Sequence, residues 1–333
     1  MSDSTTADHD PADAPYAGLS PSLILDAIEH TGALPSGSLL ELNSYENRVY
    51  QIELDDGSFV VSKFYRPGRW DDAQILEEHA FTLELADAEL PVVAPLVRDG
   101  TTLFEHQGFR FAVYPRQGGH APNLEVEADL RVLARTLARI HAIGAISRFR
   151  HRPALTLERL GSDSRDFLLG SELLPAELRE AYASVTAHLL ERLTPRLQHM
   201  QRDTRIHGDC HPGNLLWRGE TPHFVDFDDC VNGPPVQDLW MLLSGERDEQ
   251  QRQIDVLLGA YELFHHFDAA TLQLIEPLRT LRIMHYAAWI GRRWHDPAFP
   301  RAFPWFGTAR YFSDHILTLR EQMAALDEPP LSA

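Results

Sequence analysis

Lysine is almost missing from this chain. Of its 30 basic residues, 29 are arginine, and Lys63 alone carries an ε-amine. A codon preference for arginine explains the bias but makes the exception informative, because a compact ammonium and a planar guanidinium are not equivalent at a site built around a point charge. Cysteine is scarce as well: Cys210 and Cys230 are the two in 333 residues, too few for a disulfide framework. Apolar runs stay short, Val92–Val97 being typical, far below the ~20 residues of a membrane span. The first residues, Met1 to Thr6, lack the basic start and apolar centre of a secretory leader. Positive charge is outnumbered, 30 basic residues against 49 acidic for a net charge of −19. That balance argues against a general binder of nucleic acid or anionic membrane, since both need a basic footprint. These deficits predict a cytoplasmic, soluble protein with no nucleic-acid and no membrane partner. What is present is ordinary: an apolar fraction of 44% can build a real core, and the length suggests two domains at roughly 150 residues each.

Residues 1–18 are rich in Ser, Thr, Asp, Ala and Pro and read as a disordered tail. Ser20-Pro21 looks like a helix cap with Pro at the first position, opening a helix over Ser22–Thr31 that stops at Gly32. Val49–Leu54 and Phe59–Phe64 alternate as strands around the hairpin signal Asp55-Asp56-Gly57. A helix follows over Asp71–Asp87, then strand-like runs at Thr102–Glu105 and Phe109–Tyr114. Gln117-Gly118-Gly119 is a plausible hinge. Beyond it the chain reads as helices over Val126–Ile143, Pro175–Gln198, Asp248–Phe264, Ala269–Trp294 and Ala309–Leu326, interrupted by an island at Thr204–Val236 with short strands at Leu215–Trp217 and His223–Val225. The fold class predicted is α+β and bilobal. Residues 19–116 form a small antiparallel-sheet N-lobe with one main helix; residues 117–333 form a larger, mostly helical C-lobe.

The island carries the chemistry. His207-Gly208-Asp209-Cys210-His211-Pro212-Gly213-Asn214 is followed, eleven residues on, by Asp226-Phe227-Asp228-Asp229. A loop with two glycines places Asp209 and Asn214 at the mouth of one site, near Asp226 at the end of the next strand. Asn and Asp oxygens are hard ligands suited to Mg²⁺, which keeps its waters and bridges to phosphates. A carboxylate beside them can accept a proton from a hydroxyl. Phosphoryl transfer needs these parts together with a cation on the nucleotide phosphates, and Lys63 can supply it. His207, Cys210 and His211 could instead be read as zinc ligands, but a fourth ligand at suitable spacing is not apparent.

The Asp209…Asn214…Asp226-Phe227-Asp228 pattern resembles the motifs of the protein-kinase-like superfamily in its aminoglycoside/choline kinase branch. Leu42–Tyr50, Val61–Pro67, Gln74–His79 and Asn232–Trp240 resemble the serine/threonine kinases of bacterial stress responses within it. The likeness runs from about Leu25 to Pro330. It implies an ATP- and Mg²⁺-dependent kinase whose acceptors are Ser/Thr hydroxyls of proteins; a monomer is expected, separately from the resemblance. Under it, Asp209 is the proton acceptor, and Asn214 and Asp226 are the Mg²⁺ ligands, Asp226 counting also as catalytic. Ser44 lies over the ATP phosphates and Lys63 holds the α- and β-phosphates. Glu78, with Glu77 as the alternative, pairs with Lys63. The segment Ala112–Gln117, Tyr114 included, reads adenine, and Asp238 braces the catalytic loop. Two departures stand out. Asn43–Asn47 replaces the glycine-rich phosphate loop, and only eleven residues separate Asp226 from Asp238, too few for a long activation loop. A small-molecule kinase acting on an aminoglycoside, choline or amino-alcohol hydroxyl is the alternative reading, because one fold hosts both.

Overall fold

The structure is a computed structural model describing residues 14–333. In chain order it contains α1 (Pro21–His30), β1 (Pro35–Leu42), β2 (Arg48–Leu54), β3 (Phe59–Phe64), α2 (Asp72–Asp87), β4 (Phe104–His106), β5 (Phe109–Pro115) and α3 (Glu127–Gly144). Next come α4 (Asp163–Gly170), α5 (Arg179–Leu197), β6 (Thr204–Ile206), β7 (Leu215–Arg218), β8 (Thr221–Phe224) and β9 (Val231–Gly233). The chain ends with α6 (Val236–Trp240), α7 (Arg247–Tyr261), α8 (Ile275–Arg292), α9 (Ala298–Ala302) and α10 (Ala309–Ala325).

The chain divides into two compact units. One holds the described residues up to Ile75, Pro95–Arg116 and Ile290–Phe306; the other holds Leu76–Ala94, Gln117–Trp289 and Gly307–Ala333. This division crosses the lobe boundaries expected from the sequence. Most of α2 belongs with the helices, and Ile290–Phe306 belongs with the sheet, because Asp296 bonds Arg48 and Arg66, and Arg293 reaches Glu46 at 2.6 Å. Of the expected tail, residues 1–13 lie outside the described residues. Residues 14–18 are ordered instead: Tyr16 donates to the Glu46 carbonyl at 3.1 Å, and Arg48 lies 4.4 Å from its ring centroid.

The sheet unit is a five-stranded antiparallel sheet in the order β1-β2-β3-β5-β4. Alternation sorts its residues. Tyr50, Ile52, Val60, Phe64, Phe111 and Val113 form one core with Ile24, Ala27 and Ile28 of α1. Tyr65, Ala112, Trp70 and Ile75 form a second. Helix α1 opens as expected, the Ser20 hydroxyl accepting from the Leu23 amide. Strand β1 was not expected, because Pro35-Ser36-Gly37-Ser38 reads as a turn; its register with β2 shifts between Pro35 and Leu39, and Pro is tolerated at the start of an edge strand. Asp71 and Gln74 cap α2 reciprocally at 2.8 and 3.0 Å.

In the helical unit, α3 buries Leu130, Leu133, Leu137 and Ile140, and α7 buries Ile254, Leu257 and Leu258. The expected helix Ala269–Trp294 is a 3₁₀ segment, Ala269–Leu274, followed by α8. Pro277 is the reason: it fits only in the first turn of an α-helix, so the helix must begin just before it. Two small sheets, β6-β9 and β7-β8, hold the island that carries the candidate site.

Candidate active site

The loop His207–Asn214 is held from beneath by one buried carboxylate. Asp238 accepts from the amides of His207 (2.9 Å) and Gly208 (2.8 Å), and its Oδ2 meets His141 Nε2 at 2.9 Å. His141 in turn contacts the Tyr261 hydroxyl at 3.0 Å. Asp238 thus spends its charge on backbone amides, as a brace does. Gly208 is required where it stands: φ is +82°, and a Cβ there would lie 2.3 Å from the Asp229 carbonyl. His207 Nδ1 accepts from the Asp209 amide, which leaves its Nε2 to donate to the Val225 carbonyl at 2.9 Å. The Val225 amide donates to the Asn214 carbonyl at 3.0 Å. The His207–Asn214 loop and the strand end preceding Asp226 are therefore laced to each other twice.

Asp226 itself sits at φ 57°, ψ 64°, the left-handed region that a non-glycine residue enters at some cost. The following segment is pinned by Arg152, whose guanidinium donates to the Asp228 and Cys230 carbonyls. Asp228, buried at 2% exposure, faces inward. Both cysteines are buried, and burial pushes the Cys230 thiol up to about 12 and the Cys210 thiol well above its usual value. They behave as small apolar residues.

Asp209 is the most charge-contacted member of the loop. Burial pushes its carboxyl up, but a hydrogen bond from His211 and the charge of Arg282 outweigh this and hold it well below the usual carboxylate range. His211 Nδ1 accepts from the Gly213 amide at 3.0 Å, so its proton sits on Nε2, which faces Asp209 Oδ2 at 3.5 Å. Arg282, on α8, donates to Asp209 Oδ1. The sequence reading missed Arg282. It lies 73 positions downstream and is one arginine among 29, so nothing local marks it.

The residues fit a hard divalent cation. Asn214 donates its side-chain NH₂ to the Asp209 carbonyl at 3.0 Å, which commits the nitrogen and presents the amide oxygen as donor atom. With the Asp226 carboxylate this makes a set of two oxygens. Among the described residues no cluster of three or more His, Cys, Asp or Glu could hold a metal. So sparse a set suits an ion that completes its shell with water and phosphate.

In the sheet unit, Lys63 is central on β3, paired with Val49 and Ala112, and only 6% exposed. Its Nζ lies 5.0 Å from the Tyr65 ring centroid, and the Tyr65 hydroxyl bonds that of Tyr114 at 3.1 Å. Lys63 and Tyr114 therefore share one face of the sheet. Ser44 stands in the β1–β2 loop. That loop is fastened by arginine: Arg66 donates to the carbonyls of Tyr45 (3.2 Å) and Glu46 (3.0 Å), while the Asn47 side chain accepts from the Arg66 amide at 3.1 Å. Phe303 packs against Tyr45, the ring centroids 5.0 Å apart and the planes tilted by 55°.

Glu77 and Glu78 separate cleanly. The Glu77 carboxylate accepts from the amides of Arg150, His151 and Arg152 at 2.7–2.8 Å, so it anchors α2 to a loop. Glu78 is buried, with Arg152 Nη1 at 3.9 Å.

A braced loop bearing a carboxylate and an amide, a second carboxylate laced beside it, and an antiparallel sheet with a buried lysine make the chain an α+β phosphotransferase of protein-kinase-like architecture. The comparisons carry the assignment further. The phosphotransferase enzyme family matches residues 38–275. Over 316 residues the chain is 45% identical to stress response kinase A of Escherichia coli K12, covering 95% of this chain and 96% of that protein. It is 43% identical, with the same coverage, to the serine/threonine protein kinase RdoA of Salmonella typhimurium LT2. Among solved structures it is similar to a microcompartment-associated aminopropanol kinase, with TM-score 0.71, 18% identity, and coverage of 92% and 97% of the two chains. The chain belongs to the phosphotransferase enzyme family and is a kinase.

Proposed function

We propose that the chain transfers the γ-phosphoryl group of ATP to Ser/Thr hydroxyls of proteins in a bacterial stress response, with Mg²⁺ as the divalent cation. Asp209 accepts the proton of the incoming hydroxyl, and Asn214 and Asp226 hold Mg²⁺. Lys63 takes the α- and β-phosphates with Glu78 as its carboxylate partner; Ser44 lies over the phosphates, and the Ala112–Gln117 segment with Tyr114 reads adenine. Positioning and charge neutralisation supply most of the rate, since phosphoryl transfer asks little covalent chemistry of the protein. The observation that carries the reading is the lacing of the Asp209–Asn214 loop to Val225, one residue before Asp226. The high identity to kinases named for stress response and for serine/threonine supports the acceptor class. No described helix is long and apolar enough to cross a membrane; a cytoplasmic location and a monomeric state belong to the proposal.

Transfer from labelled ATP to generic protein acceptors, run beside a panel of small alcohols, tests the acceptor. Label on protein Ser or Thr is the expected outcome; label only on small alcohols overturns it in favour of a small-molecule kinase, the reading favoured by the fold's similarity to an aminopropanol kinase. The roles are tested separately. Asp209→Ala should abolish transfer and leave nucleotide binding measurable, whereas Asp226→Ala should weaken Mg²⁺-ATP binding. Equal loss of ATP affinity in both refutes the division of labour. A lysine-directed acylating reagent has one side chain to modify, and Mg²⁺-ATP should protect it.

A further inference from the structure

Asp209 does not face its acceptor alone. Arg282 projects from α8 onto the same carboxylate, and 42% of its side chain remains in contact with solvent. Four and seven residues further along the helix, Tyr286 and Trp289 fall on the same face. Their rings stack at 5.8 Å with planes 17° apart, and Tyr286 is 43% exposed. The neighbouring cation of α8, Arg279, is committed elsewhere, to Glu276 at 3.5 Å and the Trp240 ring at 5.5 Å. The guanidinium that reaches Asp209 thus shares its helix face with a stacked aromatic pair.

The local charge runs against that of the whole protein. A chain at −19 attracts cations in general, yet the carboxylate proposed to meet the acceptor hydroxyl is already neutralised. A cationic acceptor brings like charge against Arg282 without gaining an unshielded carboxylate. An acceptor with a carboxylate next to its hydroxyl gains a planar fork of N–H donors.

We propose that Arg282 selects the charge of the acceptor, admitting a hydroxyl flanked by an anionic group and rejecting one flanked by a cation. For a protein acceptor this means Ser or Thr in an acidic stretch. The inference rests on the reading of Asp209 as the residue that meets the acceptor, and it applies to either acceptor class.

The test uses the full chain and paired acceptors. Serine peptides flanked by Asp/Glu or by Lys/Arg are assayed beside a hydroxy acid and an amino alcohol, with wild type, Arg282→Gln and Arg282→Lys, each checked for an unchanged thermal midpoint. Wild type should favour the anionic member by about tenfold in kcat/KM, the scale of one charge-assisted contact. Arg282→Gln should bring the ratio near one, chiefly through KM, and Arg282→Lys should restore part of it. Equilibrium binding of the same peptides with Ala in place of Ser repeats the comparison without turnover. A wild-type ratio that favours cations, or one that Arg282→Gln leaves unchanged, overturns the proposal, as does the absence of charge preference in both turnover and binding. If only the small acceptors are phosphorylated, the protein-kinase reading fails, and the ratio of hydroxy acid to amino alcohol still decides the role of Arg282.

Discussion

The β1–β2 loop and the His207–Asn214 loop are both short, polar and irregular, but they are held in opposite ways. The first is fastened through its carbonyl oxygens by the guanidinium of Arg66, itself tied to Asp296 at 2.7 Å. The second is fastened through its amide hydrogens by the carboxylate of Asp238. A loop held through its carbonyls can turn N–H groups toward an anion, and under the role proposed for Ser44 this is how Asn43–Asn47 would stand in for a glycine-rich loop. A loop bound by its amides leaves its side chains to act, which suits one that must present Asp209 and Asn214. Under the proposed roles, polarity of the brace follows from what each loop is for.

The comparison breaks most severely at Asp238. Asp238→Ala strands three buried donors, so unfolding in urea should show a loss of about 3–5 kcal/mol, and turnover should fall by a factor on the order of 100 as the loop shifts. Arg66→Ala should cost about 3 kcal/mol, because it leaves Asp296 buried beside fewer partners. Its kinetic signature should be a raised KM for ATP with kcat within a few-fold, and Arg66→Lys should not restore it, since an ammonium cannot fork.

Acid sharpens the contrast between the two units. In the helical unit, His315 lies between Tyr182 and Tyr311, and burial pushes it down to about 4. The unfolded chain protonates it near 6.5 while the native state resists, so stability should fall as pH drops from about 6.5 to 4, by on the order of 3 kcal/mol. His315→Phe should flatten that limb. In the sheet unit, burial raises the Asp296 carboxyl, but a bond from the Ala298 amide and the charges of Arg66 and Arg48 prevail and lower it. Its contribution is present above the ordinary carboxylate value and is lost only below about pH 4; Asp296→Asn should remove that lower limb and leave the upper one. The smallest effect is expected at Cys210 and Cys230. A thiol reagent added to the folded enzyme should leave activity unchanged.

Much of this was legible in the sequence because the signals were local. Asp209, Asn214 and Asp226 announce themselves by spacing within 18 residues, and Lys63 by being the one lysine. Asp238 was readable as a brace only through the resemblance carried by Asn232–Trp240. Arg282 was not readable for the converse reason: it reaches Asp209 from a distant helix and resembles every other arginine. Strand β1 was hidden by turn-forming residues that tertiary pairing overrode, and Ile290–Phe306 by the fact that chain order says nothing about which core Asp296 joins. Glu77 and Glu78 look identical in sequence; only the three amides facing Glu77 part them.

Asp226 has one more implication. Its backbone occupies a conformation that glycine reaches without penalty, at a cost of about 1 kcal/mol to any residue with a side chain. A directed-evolution campaign scored on thermal tolerance alone would drift to glycine here, and would enrich sturdier proteins that had discarded the carboxylate proposed to hold the divalent cation.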